Sequence, residues 1–349
     1  MPLALARQLG TLGATALVGS LAAVAVGIPV PLLTGPALLG TTLALIGLGQ
    51  PFPVWLRNVV FLLTGITIGA GVSRDSLSAI ATWPLAFAIL GVSLVVMMLA
   101  AQAVIRRGLG TDRSTALLAA TPGHLSFVIG LGEDLGADSR IIVVVQAVRL
   151  LALTLLVPFA AGLAGIDTGP GLALPGQAFH EMTLVQTAAS VVTATLLYPL
   201  VRRTGVPAPV LMAGMVVGAA ARLSGLAPGG LSHWISFPAL ALIGTLIGSR
   251  FAGIRLGELR RYGAVGLGAT LVIAATGFVA AALAAGLVDM PLLHVLVAFA
   301  PGGLEAMAVI GVAIGANPGF VAAAHVLRLL ILSALVPTLL ARGARRGTG

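Results

Sequence analysis

The chain has no cysteine and no lysine, and only 8% of its residues carry charge. The first absence excludes disulfides, thiolate chemistry and zinc–thiolate sites. The second leaves 19 arginines as the entire basic complement, against 10 acids, for a net charge of +9. In a soluble protein that excess would suggest nucleic acid. Here the arginines stand singly or in small groups between apolar runs, as topology signals do. No basic stripe interrupts those runs, and no polar stretch reaches the roughly 50 residues of a DNA-binding domain. Direct nucleic-acid binding is therefore excluded.

The shortage of charge excludes a soluble fold as well. Soluble domains carry about 25% charged residues, whereas this chain is 58% hydrophobic with a mean hydropathy of +1.11. A water-soluble shell could not cover that much apolar side chain, but a lipid bilayer removes the need to. Apolar runs of spanning or near-spanning length lie near Thr11–Pro29, Leu32–Leu48, Val59–Val72, Trp83–Ile105, Ser114–Leu131 and Ile141–Leu163. They recur near Leu184–Val201, Val210–Ala221, Ile235–Ile247, Ala264–Leu287, Leu292–Ile314 and Phe320–Leu340. The expected fold is an all-α, multi-pass membrane protein with about 10–12 spanning helices, the first of them uncleaved.

The two sets of runs correspond in detail. Pro29-Val30-Pro31 matches Pro207-Ala208-Pro209, and Gly40 matches Gly218. Gly65 and Gly69 match Gly244 and Gly248, and Pro122-Gly123 matches Pro301-Gly302. Gly132 and Gly136 match Gly311 and Gly315, Arg149 matches Arg328, and Pro158 matches Pro337. The offset stays at 178 to 179 residues. A constant offset of that kind points to an internal duplication. The copies are expected to occupy residues 1–165 and 166–349, the second including a linker, Gly165 to Met182. The loop after the fourth run holds Arg106, Arg107 and Arg113 in the first copy but only Asp289 in the second. The loop after the third run holds Arg74 in the first copy but Arg250, Arg255, Arg260 and Arg261 in the second. Opposite bias in equivalent loops favours inverted copies. Six crossings per copy would instead make them parallel, so inversion requires one run not to cross, or the linker to add a crossing. The terminal Arg342, Arg345 and Arg346 weigh the other way.

The fifth run of each copy carries the candidate chemistry: Thr121-Pro122-Gly123-His124-Leu125-Ser126 and Pro301-Gly302-Gly303-Leu304-Glu305. Proline removes a backbone donor and clashes with the preceding turn, and glycine permits non-helical angles. Each helix is expected to break inside the bilayer, leaving amides and carbonyls that protein, water or solute must satisfy. The bland alternative for either break is a structural kink. The sixth runs place Arg149 and Arg328 about 12–15 Å inside, with Gln146 and His325 three residues earlier on the same helix face. Each arginine either braces broken backbone carbonyls, contacts an anionic solute, or balances Glu305. Glu305 is the best candidate for binding a proton or cation, and the first copy has Ser126 in its place. His124 replaces a glycine and is as readily a packed residue as a titrating one. Glu133 and Asp134 read as a solvated helix end. Gly65-x-x-x-Gly69 and Gly244-x-x-x-Gly248 read as close-packing patterns.

These motifs resemble the membrane AbrB family, two-copy proteins with a Pro-Gly-Gly-Leu motif in each copy. The resemblance rests on Pro29 to Gly40, Pro122-Gly123 with Leu125-Ser126, Gln146 with Arg149, Pro301-Gly302-Gly303-Leu304, and His325 with Arg328. His124 and Phe127 depart from the family pattern, where glycine and often glutamate stand. More distantly the run order is similar to the cation/proton antiporter and bile-acid symporter superfamily. That likeness implies inverted repeats, broken helices meeting near the membrane centre, and alternating access. The expectation is therefore a secondary transporter, not an enzyme, in a bacterial inner membrane. It would move a small solute, anionic if the arginines contact it, with H+ or Na+ as a coupling ion and no resident cofactor or metal. A homodimer is left open. The family's labels imply two other functions, regulation of gene expression and ammonia monooxygenase. Five scattered histidines with no pair at helical spacing speak against a redox-metal oxidase.

Overall fold

The computed structural model of the chain describes residues 2–72, 83–122, 125–163, 181–206 and 208–346. Gly123, His124, Pro207, Arg74 and the linker up to His180 thus lie outside the described residues. Fourteen helices are present among the described residues: α1 (Pro2–Val26), α2 (Pro31–Leu45), α3 (Val54–Ala70), α4 (Trp83–Leu109), α5 (Arg113–Ala120), α6 (Leu125–Asp134), α7 (Ser139–Leu163), α8 (Leu184–Arg203), α9 (Pro209–Leu223), α10 (His233–Ser249), α11 (Leu256–Val288), α12 (Leu292–Phe299), α13 (Leu304–Ala313) and α14 (Pro318–Arg346). The only β feature among them is an isolated bridge between Glu181 and Gly230. Six helices, α1, α4, α7, α8, α11 and α14, are long and apolar enough to cross a bilayer. With large apolar side chains such as Leu17, Val92, Leu196 and Leu283 turned outward, this is an all-helical, polytopic membrane protein.

Four of the seven pairs of helices seven places apart have identical lengths. α2 and α9 are 15 residues each, α3 and α10 are 17, α5 and α12 are 8, and α6 and α13 are 10. The unusual backbone recurs with them. Val30 and Ala208, the central residues of the two Pro-x-Pro starts, are both left-handed at φ 48°. Gly110 (φ 62°) and Asp289 (φ 52°) hold equivalent turns.

The chain groups into two compact units. One comprises residues 1–81, 154–253 and 304–322; the other comprises 82–153, 254–303 and 323–349. Each unit draws on both halves of the sequence.

In the first unit, α2 packs on α10 and α3 packs on α9. Glycine makes both contacts possible. A Cβ on Gly65 would run into the Leu211 carbonyl, and one on Gly218 into that of Ile66. At the other crossing a Cβ on Gly244 would strike the Leu33 carbonyl, and one on Gly248 would meet Gly40. The glycine spacings therefore serve close backbone approach. Contacts advance together along both pairs, so α2 and α10 run parallel, as do α3 and α9. Gln8 Nε2 donates to Pro51 O at 2.6 Å, which sets the start of α1 beside the α2–α3 turn. Arg7, Arg57, Arg202, Arg203 and Arg250 consequently gather at one end of this unit. Arg222 lies at the other, with Glu181, whose carboxylate accepts from the first amide of α10, His233 N, at 3.2 Å.

In the second unit, α4 packs on α11. Cβ atoms on Gly277, Gly268 and Gly108 would lie 3.0, 3.9 and 2.9 Å from Met97, Val104 and Val265. One helix number rises as the other falls, so α4 and α11 are antiparallel. Arg106 and Arg107 at the end of α4, Arg113 at the start of α5, Arg140 at the start of α7, and Arg255, Arg260 and Arg261 at the start of α11 share one end of this unit.

Candidate functional site

The first break forms as proline chemistry dictates. Asp112 caps α5 by accepting from Thr115 N at 2.9 Å. The helix stops at Ala120 because Thr121 precedes Pro122 and is pushed to an extended conformation, φ −63° and ψ 117°. Ala300, before Pro301, ends α12 with nearly the same angles, φ −59° and ψ 124°. Eight residues advance only about 12 Å, well short of the roughly 30 Å hydrocarbon core.

After the first break the chain turns back. Asp138 N, just beyond α6, donates to Thr115 Oγ1 near the start of α5 at 3.0 Å. A Cβ on Gly132 would lie 3.5 Å from Leu118 Cδ1 and 3.3 Å from Ile142 Cδ1. A helix that continued across the membrane could make neither contact back to α5, with Thr115 or with Leu118. The fifth run is therefore a re-entrant hairpin, α5 entering and α6 returning to the same end, with Thr121-Pro122 at its tip. Glu133 and Asp134 are exposed where it exits.

α7 then runs parallel to α5 and closes the break. Gln146 Nε2 donates to Leu118 O and Thr121 O, each at 3.2 Å. Arg149 Nη1 donates to Thr121 O at 3.0 Å, and Nη2 donates to Gln146 Oε1 at 3.0 Å. In the second copy Arg328 Nη1 donates to Ala300 O at 2.8 Å and Nη2 to Gly302 O at 3.0 Å. Arg149 and Arg328 are 3% and 2% exposed, so these contacts are made away from solvent. Both guanidinium groups stand at the carbonyl end of a half-helix, where positive charge is favoured, and satisfy oxygens that lack a helical partner. Arg149 Nε is buried and has no partner among the described residues.

Of the residues singled out in the sequence, Thr121, Pro122, Gln146 and Arg149 meet in one cluster. Pro301, Gly302 and Arg328, with His325 fully buried one turn before Arg328, form its counterpart. Gly303 is half-buried. The backbone of Ser126 lies in the first turn of α6; its side chain, with Gly123 and His124, is outside the described residues. Glu305 is half-buried in the first turn of α13, near the positive pole of that helix. Its carboxylate has no hydrogen bond or ion pair to a described residue. α13 packs against α3 and α10, where Thr64, Thr67 and Thr245 are buried. Sequence reasoning missed the Thr115–Asp138 clip. The one signal for it was the helix-capping pattern at Asp112 and Asp138.

These features define a polytopic helical membrane protein with interrupted helices braced by buried arginines. The family model described as "Transition state regulatory protein AbrB" matches residues 32–342, and the chain belongs to that AbrB family. It is 26% identical over 290 residues to "Uncharacterized protein YhjN" of Bacillus subtilis (strain 168), covering 79% of this chain and 75% of that protein. It is also 26% identical over 333 residues to "Putative regulator AbrB" of Escherichia coli (strain K12), covering 92% of each.

Proposed function

We propose that the protein is a secondary transporter that moves a small solute by alternating access at its two helix breaks, with Glu305 binding a coupling proton or cation. The observation that carries this reading is the pair of interrupted helices, each closed at its carbonyl end by a buried arginine. Non-helical backbone at membrane depth is tolerated where protein buries it or where it lines a water-filled path. Transporter sites use both conditions, with half-helix ends facing the substrate. Because the arginines are engaged with carbonyls, they act first as braces. That shifts the ionisable role toward Glu305.

The reading includes two inverted copies. The fifth run is re-entrant in the first copy; if its counterpart in the second follows it, each copy has five crossings, and an odd number reverses the second. The antiparallel packing of the equivalent helices α4 and α11 supports this, as does the collection of arginines at one end of each unit. In this arrangement α14 runs opposite to α7, which brings Arg342, Arg345 and Arg346 to the arginine-rich end. By the positive-inside rule that end faces the cytoplasm of a bacterial inner membrane.

The test is reconstitution into vesicles containing a pH-sensitive dye. Imposed gradients of small organic anions, cations and neutral solutes are screened with and without Na+. Wild type is expected to move protons or Na+ with one solute class, and Glu305→Gln to abolish that coupling. Equal flux in wild type and Glu305→Gln would remove Glu305 from the mechanism. The family description and the name of the Escherichia coli relative, a regulator in both, favour a second reading, a regulatory role that we take to be in gene expression. It would gain if deletion changed expression while a flux-dead point variant did not.

A further inference from the structure

We infer that the arginine-bearing end of the α4–α11 pair binds an anionic phospholipid, and that four guanidinium groups there favour a headgroup with two phosphates. The antiparallel contact of Gly108 with Val265 fixes the level of the two helices. It sets Arg106 and Arg107 on the last turns of α4 beside the opening turns of α11, which carry Arg260 and Arg261. All four arginines are exposed. None forms an ion pair with a described residue.

The nearby acids on this end are largely engaged. Asp112 accepts from Thr115 N, Asp138 from Arg140 N and Ile141 N, and Glu258 from Arg140 and Arg255 N. Glu133 and Asp134 sit at the exit of the hairpin, off this helix pair. Arg261 also lies over the ring of Tyr262, 5.4 Å from its centroid, an aromatic–cation pair suited to the headgroup layer.

Below the arginines the same two helices turn apolar side chains outward: Val96 and Leu99 on α4, Leu267 and Leu271 on α11. An apolar flank leading up to an unpaired basic cluster fits an acyl chain beneath a phosphate. Arginine, unlike lysine, can grip that phosphate with two parallel hydrogen bonds. Successive turns of the two helices place Arg106 and Arg107 about 9 Å deeper than Arg260 and Arg261. Long stems rise from the lower pair, so the cluster is extended along the membrane normal and accommodates more than one phosphate.

The experiment uses the full chain in detergent, titrated with diphosphatidylglycerol, phosphatidylglycerol, phosphatidylcholine or inorganic phosphate. Bound lipid is counted by native mass spectrometry, and melting is followed in parallel. Affinity should fall in that lipid order, and inorganic phosphate should neither bind nor stabilise. Each basic residue near an anionic surface contributes about fivefold. The combined Arg106→Gln, Arg107→Gln, Arg260→Gln, Arg261→Gln variant should therefore lose at least tenfold, while Arg202→Gln with Arg203→Gln in the other unit keeps wild-type affinity. Wild-type binding by the fourfold variant, equal loss in the control, or equal stabilisation by phosphate would each overturn the site. If the glutamine variant does not fold, lysine at the same four positions decides. Weaker diphosphatidylglycerol binding with unchanged lipid-free melting supports the site, and unchanged binding overturns it.

Discussion

Arg149 donates to the carbonyl of Thr121 at 3.0 Å, and the equivalent Arg328, 179 positions on, donates to that of Ala300 at 2.8 Å. The same nitrogen of the same residue type closes the same break in both halves of the chain. A buried hydrogen bond to a charged group is worth about 1.5–3 kcal/mol, and an orphaned buried carbonyl adds a penalty. Arg328→Ala should therefore destabilise by about 3 kcal/mol or more. Arg328→Lys should recover part of that, since one ammonium cannot span the carbonyls of both Ala300 and Gly302. Thermal unfolding in detergent measures both. A variant that melts like wild type but no longer moves solute would make Arg328 a solute ligand instead of a brace.

The glycine crossings separate packing from propensity. Gly65→Ala and Gly244→Ala each force a methyl into a backbone carbonyl of the facing helix, and overpacking of this kind costs about 1–3 kcal/mol. Gly13→Ala on α1 meets no atom within 4 Å and should be neutral or slightly stabilising, since alanine is the better helix former. The three melting temperatures, compared in one detergent, test the assignment. Equal shifts at all three positions would contradict it.

Much of this architecture was legible in the sequence, and the gaps have physical causes. Pro122-Gly123 and Pro301-Gly302 announce the breaks because proline acts on its immediate neighbours. Whether a chain goes on or turns back after a break is decided by contacts back across it, here Asp138 with Thr115 and Gly132 with Leu118, and the capping aspartates mark only where helices start, not which way they run. The spacing of Gly65 and Gly69 promised a close helix, but not that Leu211 and Met215 would supply it. The arginines were visible as buried, but three roles remained open until their donors were seen to point at Thr121, Ala300 and Gly302. Nothing in Pro29-Val30-Pro31 warned that the valine would be left-handed.

That conformation is itself testable. A non-glycine residue in the left-handed region costs on the order of 1 kcal/mol. Ala208→Gly relieves it with the loss of one half-buried methyl and should raise stability by up to about 1 kcal/mol. Val30 is 3% exposed, so Val30→Gly gains the same relief but loses a buried side chain, about 1.5 kcal/mol or more. The pair should shift melting in opposite directions. Two shifts of the same sign would show that strain is not what distinguishes these helix starts.

Acid should loosen the connection between the linker and α10. Hydrogen bonds from His233 hold the Glu181 carboxyl below its ordinary value of 4.5. A carboxyl depressed in the folded state adds stability that is fully present above its unfolded pKa. That stability is lost as pH falls through the folded pKa, because the unfolded chain, with the higher pKa, binds the proton more tightly than the folded one. Hydrogen-exchange protection at 181–184, corrected for the intrinsic exchange rate at each pH, should therefore fall below about pH 4.5, and Glu181→Gln should show the low protection already at neutral pH with no further loss in acid. Protection that is independent of pH in the wild type would remove the cap.

The absence of cysteine makes the hairpin directly accessible to labelling, because any introduced thiol is the only one. Thr111 precedes α5 and Leu135 follows α6. If α5 and α6 form a re-entrant hairpin, Thr111→Cys and Leu135→Cys react with a membrane-impermeant maleimide from the same side of sealed vesicles. Met290, beyond the far end of α11, is separated from them by a helix of 33 residues, about 50 Å of rise. Met290→Cys should therefore react only from the other side. Thr111 and Leu135 labelling from opposite sides would mean that the fifth run crosses after all. Each copy would then have six crossings, α4 and α11 could not be inverted equivalents, and the paired-break transport reading would lose its geometry.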